Sequence, residues 1–550
     1  MLVRALILCL AFALLKAEGP GMVVSQDRLA SQAGARVLAE GGNAIDAAVA
    51  TAFALAVTHP AAGNLGGGGF MLVRRAGGEA EFFDFREKAP RAAHAGMFEP
   101  GGVYSEAVHH RSYLAVGVPG TVAGLHASWK AHGHLPWQRL VEPAVHLARD
   151  GFPVSPALAA SLEQVLPLLQ PNPAALAQFS HNGRPYQAGE TLRQPDLAAT
   201  LARIATDGPA GFYKGETARL IALEMKAHDG LITRKDLAEY RCALRQPLRG
   251  SYRGIELLAP PPPSSGGAVL LEELNILEGY NLAGQGATSP RTIHQCAEAM
   301  RRAYADRARF LGDPDFNPGM PVDRLISKAH GDQLRATIDP ARASISSPSS
   351  FEWPHESKET THLSVVDRAG NAVSLTYTLE DTYGAKLVVP GAGFLLNNEM
   401  GDFNAGAGLT DRSGLVGTAP NLVQPGKRML SSMTPTILVK DGKLFMVTGS
   451  PGGRTIPNTV LWTILGVVDF GLGAQAAVDA PRYHHQWLPD TLCYERGRMT
   501  ADQGAALKAM GHVLEERPRM GVAQVILVDD QGRLSGGADG RWGDSAAVSE

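Results

Sequence analysis

Five places in this 550-residue chain carry residue types at spacings that could do chemistry. Gly63 to Gly69 is glycine-rich, but it follows a helical pattern and precedes a strand-like one. A phosphate loop needs the reverse order, so that backbone N–H groups and a helix N-terminus face the anion. Tight packing or a turn is the better reading. His109-His110 and His484-His485 are adjacent pairs. Neighbours on a strand point to opposite faces, so neither reads as a metal pair; no metal and no cofactor are expected. Gly449-Ser-Pro-Gly-Gly453 lacks the Gly-x-Ser-x-Gly spacing of a serine-hydrolase elbow. What remains is Glu359-Thr-Thr-His362. A threonine hydroxyl is a weak nucleophile unless a base takes its proton. Taken alone, Thr360 reads as an ordinary β-branched residue opening a strand.

The elements around Thr360 give it a setting. Residues 340–359 are Ser- and Pro-rich and read as a connector. After it come two β-type runs, His362–Val366 and Ala372–Thr378, joined by Asp367-Arg-Ala-Gly-Asn371. Thr436–Val439 and Leu444–Val447 flank Lys440-Asp-Gly-Lys443, a hairpin signal. Val522–Val528 and Arg533–Ser535 flank Asp529-Asp-Gln-Gly532 in the same way. The first half reads differently. Ser25 and Asp27 can cap a helix running to about Glu40, and Asn43 caps a second over Ala44–Val57. Strand-like Met71–Arg74 and Glu81–Phe85 follow. Residues 115–340 read as largely helical, broken by an ordered loop between Pro260 and Gly267. Together these predict an α+β fold with stacked antiparallel sheets, helices from the first half covering the faces, and a boundary at Thr360.

Composition narrows the class. Hydrophobic residues are 45% and charged residues 19%, which fits an ordered globular protein. The net charge is -3 with no basic stripe, so nucleic acid is not an expected partner. Met1–Arg4, then the apolar run Ala5–Leu15 and Lys16-Ala17, has the layout of a signal peptide over residues 1–17. An uncleaved anchor and a misplaced start codon are the alternatives. A periplasmic or secreted protein without a stable membrane span is expected. Cys242, Cys296 and Cys493 are far apart and odd in number, neither a disulfide framework nor a zinc pattern.

Around Thr360 the chain resembles the γ-glutamyltransferase family of N-terminal-nucleophile hydrolases, at Glu359-Thr-Thr-His-Leu-Ser-Val-Val-Asp367. Further blocks continue the likeness in order: Phe85-Arg-Glu-Lys-Ala-Pro90, Gly117-Val-Pro-Gly-Thr-Val-Ala123, Leu396-Asn-Asn-Glu-Met-Gly-Asp-Phe403, Ser431-Ser-Met-Thr-Pro-Thr436, Gly449-Ser-Pro-Gly-Gly453 and Pro481-Arg-Tyr-His-His-Gln-Trp487. The resemblance implies a four-layer αββα sandwich. It also implies self-cleavage between Glu359 and Thr360, leaving pieces 18–359 and 360–550 as one intertwined heterodimer. The freed α-amino group, with an ordinary pKa near 8, is a suitable base for the Thr360 hydroxyl.

By the same resemblance, Thr378 steadies the nucleophile, and Gly452 and Gly453 supply oxyanion donors. A buried strand threonine and a simple turn are the plainer alternatives. Arg86 is expected to bind the substrate carboxylate, Ser431 and Ser432 to add hydroxyl donors, and Glu399 and Asp402 to hold its ammonium. Glu380 stands where many relatives carry Asn. It adds a third acid around one ammonium, so one of the three is expected to be protonated or turned away. The loop from Asn404 to Lys427 is expected to form a lid, with Ser413 where some relatives place a shielding aromatic. The implied reaction moves a γ-glutamyl group from glutathione or a related amide to water, an amino acid or a peptide. A glutaryl-cephalosporin-type acylase and a non-processing secreted binding protein are the competing readings. Acylase pockets for glutaryl groups should lose acidic charge, and this one keeps it.

Overall fold

Alternation in the central strands sorts side chains into separate cores in the computed structural model, which describes residues 20–347, 360–408 and 417–550. Residues 1–17, Glu359, Ser413 and the connector from residue 348 onward lie outside the described residues. Met71 and Val73 pack toward helices, whereas Phe70 and Leu72 point into the space between two sheets. The same division separates Leu363 and Val365 from Val366.

The first sheet has seven strands, in the order Ala546–Ser549, Met22–Ser25, Thr361–Val366, Ala372–Thr378, Gly68–Arg74, Ala80–Phe85 and Ala243–Arg245. The second has six: Leu534–Ala538, Gln524–Val528, Lys443–Gly449, Thr436–Lys440, Ile255–Ala259 and Leu248–Tyr252. Every pairing within the two sheets is antiparallel. Helices Arg28–Ala39 and Ala44–Thr58 cover the first sheet, with Trp137–Asp150 packed against Ala44–Thr58. Helices Gly266–Leu277 and Thr455–Val468 cover the second, with Pro290–Phe310 packed against Gly266–Leu277. The layers therefore run αββα, the arrangement expected of the fold class.

Several local expectations hold. Asp27 caps the first helix through Ala30 N, and Asn43 forms a capping box with Asp46. Asp441 and Gly442, both at positive φ, close the hairpin between Thr436–Lys440 and Lys443–Gly449. The glycine run is a packing device: a Cβ on Gly67 would stand 2.0 Å from the Thr378 carbonyl, and one on Gly66 2.1 Å from that of Leu395.

Two expectations need correcting. The stretch from 115 to 340 is not broken only at the Pro260–Gly267 loop, because Ala243–Arg245, Leu248–Tyr252 and Ile255–Ala259 are strands that extend both sheets. Covering helices also come from both halves of the chain, since Thr455–Val468 lies beyond residue 360. Each sheet thus mixes strands from before and after Thr360.

Candidate active site

Register accounts for the spacing of the two threonines. Strands Thr361–Val366 and Ala372–Thr378 pair Tyr377 with Thr361 and Thr376 with His362. One step further, Thr360 stands opposite Thr378, eighteen residues away along the chain, with Oγ1 atoms 3.4 Å apart. Both are on the even-numbered side, which faces the second sheet. Ser374 on that side donates to the Thr448 carbonyl at 2.9 Å, and the His362 ring lies where a Cβ on Gly449 would sit. Thr361 points the other way and is fully buried. Asn64, from the glycine-rich turn, donates to the Thr378 carbonyl at 2.9 Å and so pins this strand end.

A small cleft lies at this end of the strands. Arg86, Thr360, Thr378, Glu380, Asp402, Ser431, Ser432 and Gly453 line it, together with Met433 and Ile456. Of the candidate residues in the described part of the chain, only Glu399 and Gly452 stand back from the lining. Glu399 lies buried behind Arg86, and Gly452 is the neighbour of Gly453.

Arg86 follows directly on strand Ala80–Phe85 and is fully buried. Its Nε donates to the Met429 carbonyl at 3.3 Å and Nη2 to that of Leu430 at 3.2 Å. The guanidinium also forms ion pairs with Glu399 and Asp402. A 3₁₀ turn over Glu399–Asp402 brings those acids to the same side, because side chains three apart eclipse in that helix. Asn397 anchors the turn: its Oδ1 accepts from Glu399 N at 3.0 Å and Gly117 N at 2.8 Å. Burial works against the Arg86 charge, but Glu399 and Asp402 outweigh it and hold its pKa above the ordinary value. Glu87 is also close, 3.6 Å from Arg86 Nη1. Burial pushes the Glu87 carboxyl up to about 8 and lifts Glu399 as well. One guanidinium therefore faces more carboxyls than it can keep ionised, and the cluster shares protons.

At Glu380 the surroundings favour the protonated form. Burial first, then the Asp402 and Asp381 charges, raise its carboxyl well above the carboxylate range. Its Oε1 lies 3.0 Å from His110 Nδ1, and burial lowers the pKa of that imidazole. Burial thus favours the uncharged form of each partner. The sequence weighed His110 only as half of a strand pair, whereas helix Glu106–Arg111 carries it. Glu380 also sits at φ 77°, a left-handed conformation that Asn tolerates better than Glu.

Ser431 and Ser432 are held from behind. Ser264 Oγ donates to the Met433 carbonyl at 2.6 Å and Ser265 Oγ to that of Ser431 at 2.7 Å. Arg307 Nη2 donates to Ser432 Oγ at 3.1 Å. The loop between Pro260 and Gly267 is therefore an ordered buttress, and Arg307 is a contributor that no motif announced. Gly452 and Gly453, at φ 131° and 55°, lead into helix Thr455–Val468. Their N–H groups meet no backbone acceptor among the described residues, and that helix end favours a nearby negative charge. A weak nucleophile, a second hydroxyl, N–H groups beside a helix start and a cation among acids together suit acyl transfer from a zwitterionic substrate.

Comparison with known proteins follows the same lines. The family model described as gamma-glutamyltranspeptidase matches residues 30–549. A glutathione hydrolase proenzyme of Escherichia coli (strain K12) is 47% identical over 526 residues, covering 95% of this chain and 90% of the relative. Among solved structures, a cephalosporin acylase from Bacillus halodurans superposes with a TM-score of 0.84 at 29% identity, covering 96% of this chain and 95% of that one. A gamma-glutamyltranspeptidase from Helicobacter pylori gives 0.58 at 44% identity, covering 59% of this chain and 94% of that one.

Proposed function

This chain belongs to the γ-glutamyltranspeptidase family and is a self-processing γ-glutamyltransferase and glutathione hydrolase; from that premise we propose that Thr360 is its nucleophile. The observation that carries the reading is the facing pair Thr360–Thr378 at the mouth of a cavity lined by Arg86, Glu380, Asp402 and Gly453. In the precursor, Thr360 Oγ attacks the Glu359 carbonyl carbon and the peptide C–N bond breaks. Water then hydrolyses the resulting ester, leaving a Glu359 carboxylate and a Thr360 α-amine. That amine takes the Oγ proton as the hydroxyl attacks the γ-amide, and it returns a proton to the leaving amine. Gly452 and Gly453 N–H groups stabilise the tetrahedral oxyanion, and Thr378 orients the nucleophile. Water, an amino acid or a peptide amine then takes the acyl group.

Donor binding exchanges partners within the buried ion pairs. The donor α-carboxylate meets Arg86, with Ser431 and Ser432 adding hydroxyl bonds, while Glu399 and Asp402 turn to the ammonium. A zwitterion brings one charge of each sign, so the pocket gains no net charge; a glutaryl group would bring an anion alone and leave the acids unanswered. Glu380, neutral and tied to His110, adds a donor or acceptor rather than a third negative charge. The mature protein is read as pieces 18–359 and 360–550 in one heterodimer, exported by way of residues 1–17 to the periplasm or medium. No helix among the described residues is long and apolar enough to cross a membrane. Matched γ-glutamyl and glutaryl anilides test the substrate class. Faster release of glutamate is expected, and faster release of glutarate would overturn the assignment.

A further inference from the structure

Glu272, Asp306 and His330 come from three separate helices, Gly266–Leu277, Pro290–Phe310 and Lys328–Arg335. They offer two carboxylate oxygens and one imidazole nitrogen, all within 4.8 Å of one another. His330 Nε2 and Asp306 Oδ2 are 2.7 Å apart. Glu272 is 1% exposed, and its Oε1 meets no hydrogen-bond donor among the described residues. Arg324, the basic group whose charge Glu272 feels, has its guanidinium over the Phe310 ring, 5.0 Å from the centroid. A buried oxygen left without a donor, beside a second carboxylate and an imidazole, is an open position for a cation.

We propose that these three side chains bind one divalent transition-metal cation, with Zn²⁺ the best match to one imidazole nitrogen and two carboxylate oxygens. Zinc–ligand bonds of about 2.0–2.2 Å put neighbouring ligand atoms roughly 3.3 Å apart in a tetrahedron. The three atoms, now within 4.8 Å of one another, would have to close to that spacing, with the His330–Asp306 contact opening as both turned to the cation. The fourth position is left to water. Sequence spacing gave no hint of the site, because its ligands are spread across 272, 306 and 330 rather than grouped in a motif.

The position also gives the cation something to hold. The helix bearing Glu272 starts beside Ser264 and Ser265, which donate to the Met433 and Ser431 carbonyls. The helix bearing Asp306 carries Arg307, which donates to Ser432 Oγ. The metal thus fastens together the two helices whose residues support the Ser431–Ser432 segment. It is a structural site and takes no part in the acyl-transfer chemistry.

The test uses the full purified protein, stripped with a chelator and dialysed against ZnCl₂. Bound zinc is counted by elemental mass spectrometry and thermal unfolding is recorded in parallel. One Zn²⁺ per protein and a raised Tm are expected. Glu272→Gln and, separately, His330→Gln should lose that equivalent and the Tm response. Binding well short of one equivalent by the wild type overturns the proposal, and so does full retention of zinc by both variants. Should Glu272→Gln fail to fold, the wild-type titration and His330→Gln still decide the matter.

Discussion

Replacing Arg86 with lysine keeps the positive charge and removes the planar fork. In the folded protein Nη1 meets Glu399, Nη2 meets Asp402 and the Leu430 carbonyl, and Nε meets that of Met429. An ammonium concentrates three donors on one nitrogen and cannot span those positions. With donor bound, it would serve the substrate carboxylate through one contact where the guanidinium offers two. The loss falls on charge-assisted hydrogen bonds, worth about 1.5–3 kcal/mol each. One such bond, with looser placement of a second, gives about 3 kcal/mol, or roughly a hundredfold drop in kcat/KM. The donor carboxylate keeps its contacts from ground state to transition state, so most of the loss should appear in KM. Initial rates on a γ-glutamyl anilide across donor concentrations measure it, after intact mass has verified complete self-cleavage. The ratio of hydrolysis to transfer should not move, because both products leave the same acyl-enzyme. A kcat/KM within threefold of wild type refutes the role of Arg86. A loss confined to kcat at unchanged KM refutes the ground-state binding argument.

Glu380→Gln mimics the neutral acid. The folded-state pKa of Glu380 lies above its unfolded value of about 4.3, so its protonated form stabilises the fold at low pH. That contribution is lost as pH rises from the unfolded value through the folded one, with a slope of at most about 1.4 kcal/mol per pH unit. The variant should therefore gain Tm relative to wild type on going from pH 5 to pH 9. A constant difference across that range would show that Glu380 is ionised throughout. Gly452→Ala places a Cβ 2.5 Å from Thr455 Oγ1 at a φ of 131°, displacing the backbone N–H groups beside it. A drop in kcat of about a hundredfold is expected, with KM changing little. An unchanged kcat removes Gly452 from the oxyanion role.

What the sequence revealed depended on how local each signal was. Asp27 and Asn43 announced their helices because a cap is decided within three residues. The hairpin at Lys440–Lys443 was legible for the same reason. Met22–Ser25 and Ala546–Ser549 were missed. Each has only four residues, and they form strands because they pair with each other across the whole chain. Leu248–Tyr252 and Ile255–Ala259 fell inside the stretch read as largely helical, because they are short and take their strand form from pairing with each other and with Thr436–Lys440. The pocket residues followed from motif likeness rather than from pattern. Their state did not, since the protonation of Glu380 depends on Asp402, Asp381 and complete burial. The role of His110 and the presence of Arg307 were not legible because their partners, Glu380 and Ser432, lie far along the sequence.

The central claim is that the chain makes Thr360 its own N-terminus. Intact-mass spectrometry of the purified protein, followed over prolonged incubation, tests it most directly. The account predicts two masses, one for Thr360–Glu550 and one for the piece ending at Glu359, with Thr360→Ala remaining a single chain. A wild-type protein that stays whole, or a Thr360→Ala variant that still splits at the same bond, would contradict it.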